Sequence, residues 1–196
     1  MNTRSCIRST KSKKGNEARK ECHLGQALYL EFRRRAILGV NNPGIQFIDY
    51  EVPVSDGRRG AIDLLGYAPI SDRLYFFELK FNDKKKESIL RCILEELTYY
   101  KKIDVKKFLS DFNAYDKRIT SRTSITIAPL YVQGGYQDQE WRKLRAESSL
   151  VDLIRKIKSN GIDVEMGILS QRQSTVDVSN RTLEIETINF DDSKDH

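Results

Sequence analysis

The chain has 196 residues, of which 39% are hydrophobic and 32% charged, and a formal net charge of +6. That length suits one domain with a substantial core, and no apolar run approaches a membrane span or precedes a signal-peptide cleavage site. Two histidines, His23 and His196, and the lack of a Gly-x-Ser-x-Gly, Gly-x-Gly-x-x-Gly or Walker pattern argue against a serine triad, a His/Cys zinc site and a nucleotide loop.

Residues 1–15 read as a disordered basic arm. The first twenty positions hold seven basic residues (Arg4, Arg8, Lys11, Lys13, Lys14, Arg19 and Lys20) against Glu17 alone, a balance suited to a phosphate backbone. A single domain is expected over 16–190, followed by an acidic tail at 191–196 with Asp191, Asp192 and Asp195. Apolar spacing predicts a helix from Asn16 to Gly39, broken by Asn41-Asn42-Pro43-Gly44. A strand over Ile45–Val54 and a turn at Ser55-Asp56-Gly57 follow. Arg59–Tyr67 and Leu74–Phe81 then form a hairpin.

A long helix is expected from Lys84 to Lys107, with Ile89, Ile93, Leu97 and Tyr100 inward, then a short one over Phe108–Arg118. Thr123–Val132 returns to strand. Asp138 is expected to cap a helix running to Lys158, with Trp141, Leu144, Val151 and Ile154 buried. Strands at Val164–Leu169 and Thr182–Ile188 close the chain, the last an edge guarded by Glu184 and Glu186. This order is α/β, with a mixed sheet between helices. Cys6, Cys22 and Cys92 are an odd number without metal-ligand spacing, and read as reduced thiols of a cytoplasmic protein.

The hairpin carries the chemistry. Asp63 and Glu78 are equidistant from a turn centred near Ile70 and Ser71, so a symmetric hairpin sets them opposite each other. Facing carboxylates repel, and a hard cation such as Mg²⁺ between them offsets that repulsion. Lys80 lies two residues from Glu78, on the same strand face. Asp/Glu-x-Lys also occurs at Asp83, Asp104 and Asp192, but there in charged helix or tail sequence. Glu78 and Lys80 instead interrupt Leu74-Tyr-Phe-Phe-x-Leu-x-Phe81, where unpaired buried charge costs several kcal/mol.

Asp63, fourteen intervening residues and then Glu78-Leu79-Lys80, after an α-β lead-in and before a long helix, resembles the PD-(D/E)XK nuclease superfamily. That group includes restriction endonucleases, archaeal Holliday-junction resolvases and RecB-type exonuclease domains. The resemblance covers roughly residues 20–132 and implies a restriction-endonuclease-like αβββαβ core with a mixed central sheet flanked by helices. It implies Mg²⁺, with Mn²⁺ as substitute, held by Asp63, Glu78 and the Leu79 carbonyl, with Lys80 as the catalytic ammonium. The glutamate that many members carry on the first helix maps to Glu31, with Glu21 as second choice. Glu96 stands where RecB-like members have glutamine in Gln-x-x-x-Tyr, and Tyr100 follows it. These two are expected to support the site.

The implied reaction is hydrolysis of a phosphodiester, most readily in DNA, by a metal-activated water that leaves a 5′-phosphate. Arg58 and Arg59 are candidate phosphate clamps, and Lys84 and Lys85 could line the substrate track. A homodimer or a partner subunit could supply specificity. The alternative reading is a catalytically inactive nucleic-acid-binding or interaction subunit of a defence or repair complex that keeps the fold.

Overall fold

A computed structural model describes residues 15–33, 37–38, 43–54, 60–80, 87–144, 148–173 and 181–189. The elements, in order, are α1 (Gly15–Phe32), β1 (Ile37–Leu38), β2 (Pro43–Pro53), β3 (Ala61–Ala68), β4 (Arg73–Lys80), α2 (Ile89–Lys102), α3 (Val105–Asn113), β5 (Ser124–Val132), α4 (Tyr136–Arg142), α5 (Ser149–Ser159), β6 (Asp163–Gln173) and β7 (Arg181–Asn189). The strands form one sheet in the order β1 to β7. β1 through β4 pair antiparallel, β4–β5 and β5–β6 are parallel, and β7 returns antiparallel to β6. The protein is thus α/β, with helices flanking a mixed sheet whose inner strands are β2 to β6.

Alternation along β4 explains its apolar run. Tyr75, Phe77 and Leu79 face one cluster with Leu28 and Phe32 of α1, while Leu74 and Phe76 face the other with Ile89 and Ile93 of α2. A central strand covered on both faces carries apolar residues at nearly every position. The same alternation sends Glu78 and Lys80 to the α2 side. α3 and α5 complete that side through Leu109, Phe112, Ile154 and Ile157.

β2 departs from regularity twice. A bulge lies between Phe47 and Asp49, and Glu51 has a φ of 48°, in the left-handed region. Regular pleating would put Tyr50 and Val52 on one face. Instead Tyr50 and its partner Leu64 pack on the α1 side, while Val52 and its partner Ile62 pack on the α2 side. The sheet changes face at the level of Asp63.

Several boundaries differ from expectation. α1 ends at Phe32 rather than Gly39, because Ile37 and Leu38 pair with β2 instead of continuing the helix. The expected long second helix is two helices. Asp104 ends the continuity by accepting a hydrogen bond from Lys107 N at 3.1 Å, a cap that starts α3. The helix expected over 138–158 is also two. Ser148 caps α5, and Asp138 is buried inside α4, where it accepts from Gly134 N at 2.8 Å rather than capping. Cys92 is a buried free thiol. Cys22 is disulfide-bonded, which corrects the reading of three reduced thiols. No helix among the described residues is long and apolar enough to cross a membrane.

Candidate active site

The β3–β4 hairpin has the symmetric register that the sequence implies. Ala68 pairs with Arg73, and the ladder runs regularly to Leu64–Phe77. One further step of the count would bring Asp63 level with Glu78. There the regular ladder stops, and Asp63 Oδ2 accepts the Leu79 N–H at 2.9 Å. A side-chain carboxylate therefore fastens the two strands where their backbones cease to pair. On the α1 side, Gly25 passes close behind this point. A Cβ there would lie 3.4 Å from the Asp63 carbonyl oxygen and from Leu79 Cδ1.

Glu78 and Lys80 are both almost fully buried, at 4% and 5% exposure. Lys80 Nζ donates to Glu78 Oε1 at 2.7 Å. It also pairs with Glu87 Oε2 at 3.3 Å and Glu95 Oε2 at 4.0 Å, carboxylates from the lead-in and body of α2. Glu78 Oε2 is buried with no hydrogen-bond partner among the described residues. Burial, followed by the Asp63 carboxylate, pushes Glu78 well above the usual carboxylate range, and Lys80 offsets only part of this. Among the described residues Lys80 thus faces three acids, Glu78, Glu87 and Glu95, with Arg91 pairing one of them.

Glu96 reaches the same place from α2. Its Oε1 accepts both Glu78 N, at 3.0 Å, and Ala128 N, at 2.9 Å, so one carboxyl group ties β4 to β5 beside the acid. Its Oε2 is buried and unpartnered among the described residues. Desolvation, and then the Glu78 charge, raises its pKa well above the usual carboxylate range. Glu96 therefore supports the site by holding the backbone of Glu78. Tyr100, expected to work with it, packs against the hydrophobic cluster on the α2 side.

Tyr99 is the tyrosine that meets the acids. Its hydroxyl donates to Glu95 Oε1 at 3.0 Å. Burial and then the charge of Glu78 raise its pKa, with Glu95 and Asp63 adding to the shift. Its ring also fills the space beside Gly60, where an added Cβ would lie 2.8 Å from Tyr99 Cε1.

Of the residues expected in the site, Asp63, Glu78, Leu79, Lys80 and Glu96 come together. Glu31 stands apart. It is exposed, six residues past Gly25, or roughly 9 Å along the helix axis. The contacts Tyr29–Tyr50 and Phe32–Phe47 show α1 running away from the acidic pair in that direction. The side chain of Glu21, one turn before Gly25, lies outside the described residues, as do Arg58, Arg59, Lys84 and Lys85. Glu87, Glu95 and Tyr99 were missed. Helical spacing of four places Glu87, Arg91, Glu95 and Tyr99 in one line, and that was the available signal.

No group of three or more His, Cys, Asp or Glu among the described residues is arranged to hold a metal ion. Compared with family models, curated proteins and solved structures, the chain matches none.

Proposed function

We propose that this chain is a divalent-metal-dependent nuclease of the PD-(D/E)XK type, acting on DNA. The observation that carries this reading is Glu78: a buried carboxylate opposite Asp63, with one oxygen on Lys80 and the other without a partner among the described residues. Two carboxylates and the Leu79 carbonyl offer only hard oxygen donors, which suits Mg²⁺ or Mn²⁺. Mg²⁺ is commonly held by one or two carboxylates plus substrate phosphates and water, so two carboxylates suffice for the fit. The bound cation would supply Lewis-acid polarisation of the scissile phosphate and lower the pKa of an attacking water.

The chain's own residues do the rest. Asp63 and Glu78 would hold the cation at the point where β3 and β4 cease to pair. Glu96 holds the Glu78 backbone, so the carboxylate cannot retreat along the strand. Lys80 presents an ammonium beside Glu78, where it orients the attacking water and offsets charge that grows on the phosphate. Water attacks in line, and the 3′ oxygen leaves, giving a 5′-phosphate. The basic arm and the Arg58, Arg59, Lys84 and Lys85 segments would meet the phosphate backbone.

The test is cleavage of plasmid, short duplex and single-stranded DNA with Mg²⁺ or Mn²⁺, comparing wild type with Glu78→Ala. Metal-dependent cutting lost in the variant is the expected result. Binding of DNA by both proteins without cutting would move the reading to a non-catalytic subunit.

A further inference from the structure

We propose that Lys80 is a built-in counter-ion for the Asp63–Glu78 pair, and that Glu87 is the positioning residue that takes Lys80 over when a divalent cation occupies the pair. The proposal rests on the metal site proposed above. Lys80 Nζ sits 2.7 Å from Glu78 Oε1, 3.3 Å from Glu87 Oε2 and 4.0 Å from Glu95 Oε2. An ammonium has three donors on a flexible stem, so it can shift its weight among these acceptors without leaving the cluster. Glu78 cannot serve a lysine and a divalent ion equally, because the two positive charges repel at such distances in a desolvated site. The ion takes the buried side of Glu78 that has no partner among the described residues, and Lys80 shifts its weight from Glu78 Oε1 to Glu87 Oε2 while staying beside the pair, within reach of the water it orients.

Glu87 is held for this purpose at several points. Its Oε1 pairs with Arg91 at 3.2 Å. Its carbonyl accepts Gln137 Nε2 at 2.9 Å. Two residues on, Ile89 N donates to Glu140 Oε2 at 2.9 Å. Gln137 and Glu140 both lie on α4, so this helix anchors the lead-in of α2 against the site. That gives the segment after β5 a task, and it explains why Gln137 is buried at 5% exposure.

The test is Mn²⁺ titration by calorimetry on the full chain without nucleic acid, with melting curves to confirm folding. Removing the internal competitor in Lys80→Met, or in Lys80→Gln should the first variant not fold, tightens Mn²⁺ binding by roughly tenfold, the worth of one charge-assisted hydrogen bond. Glu87→Gln weakens binding several-fold, because Lys80 then clings to Glu78. A merely structural role for Lys80 would give no tightening. Lys80 variants that bind no more tightly, or Glu87→Gln with unchanged affinity, overturn the proposal while leaving the metal site intact. Wild-type protein that binds no Mn²⁺, or binds it equally well as Asp63→Asn, removes the metal site and this proposal together.

Discussion

The two ends of β4 both bury charge, and they handle it in opposite ways. At the first end Arg73 pairs with Glu165 Oε1, and Tyr75 donates its hydroxyl to Glu165 Oε2 at 3.1 Å. Both oxygens of the acid are used, and one cation meets one anion. At the last end Lys80 faces Glu78, Glu87 and Glu95, while Asp63 and Glu96 crowd the same strands. Two buried carboxylate oxygens there, Glu78 Oε2 and Glu96 Oε2, have no partner among the described residues. A folded chain meets the polar needs of a buried ion pair when stability is the only demand. The balanced end is the kind of pair that holds a sheet together. Among the described residues the acidic end leaves two carboxylate oxygens unmatched, and a buried, perturbed group of that kind is what makes this end the candidate site.

The contrast can be broken most sharply by Glu78→Gln. Cleavage should fall by roughly 10²- to 10³-fold, the worth of one preorganised charged group, while the melting temperature at neutral pH stays level or rises as repulsion from Asp63 is relieved. A large loss of stability would put Glu78 in the same class as Glu165. Arg73→Met should do the reverse. It leaves Glu165 and Tyr75 to share a buried charge, and we expect a loss of ~2 kcal/mol in denaturant unfolding with cleavage retained. That is below the usual cost of breaking a buried pair, because the Arg73 side chain is 34% exposed and water screens it.

A smaller effect comes from pH. Glu78 and Glu96 both hold their protons above the ordinary value of 4.5. Their contribution to stability is complete below that value and is lost as pH rises through the raised folded values. Thermal melts taken from about pH 5 to pH 8 should therefore show falling stability, and Glu96→Gln, which keeps an acceptor for Glu78 N and Ala128 N, should flatten part of that slope. An unchanged slope would mean that Glu96 ionises no differently when folded. The mildest change is Tyr99→Phe, which gives up one hydrogen bond to Glu95 and should cost about 1 kcal/mol or less in unfolding measurements.

The acidic pair was legible in the sequence because a hairpin's register follows from counting, and the turn at residues 69–72 obeys the count. The α/β class and the mixed sheet between helices were legible from the order of apolar strand and helix patterns along the chain. The partners on helices were less so. Glu96 was singled out by a motif that suggested a donor, yet it accepts from two strands, a role visible only once β4 and β5 lie side by side. Tyr100 was chosen over Tyr99 by spacing within that motif, although one residue on a helix is a turn of 100°. Glu31 was mapped from the glutamate that many members of the resembled superfamily carry on the first helix, which fixes an element but not the height at which that helix crosses a sheet. Gly25 sets that height. The two-residue β1 escaped because nothing in Ile37-Leu38 distinguishes a short strand from the end of a helix.

The sequence distances within the site imply an order of assembly. Asp63 reaches Leu79 across 16 residues, and Glu96 reaches Glu78 across 18. Contact from α4 to the start of α2 spans 50 and 51. Close contacts form sooner than distant ones, and a chain made from its N-terminus exposes the hairpin well before α4 exists. The carboxylates of this protein thus meet while the anchor of Glu87 is still unmade. Its buried acids are gathered first and restrained last.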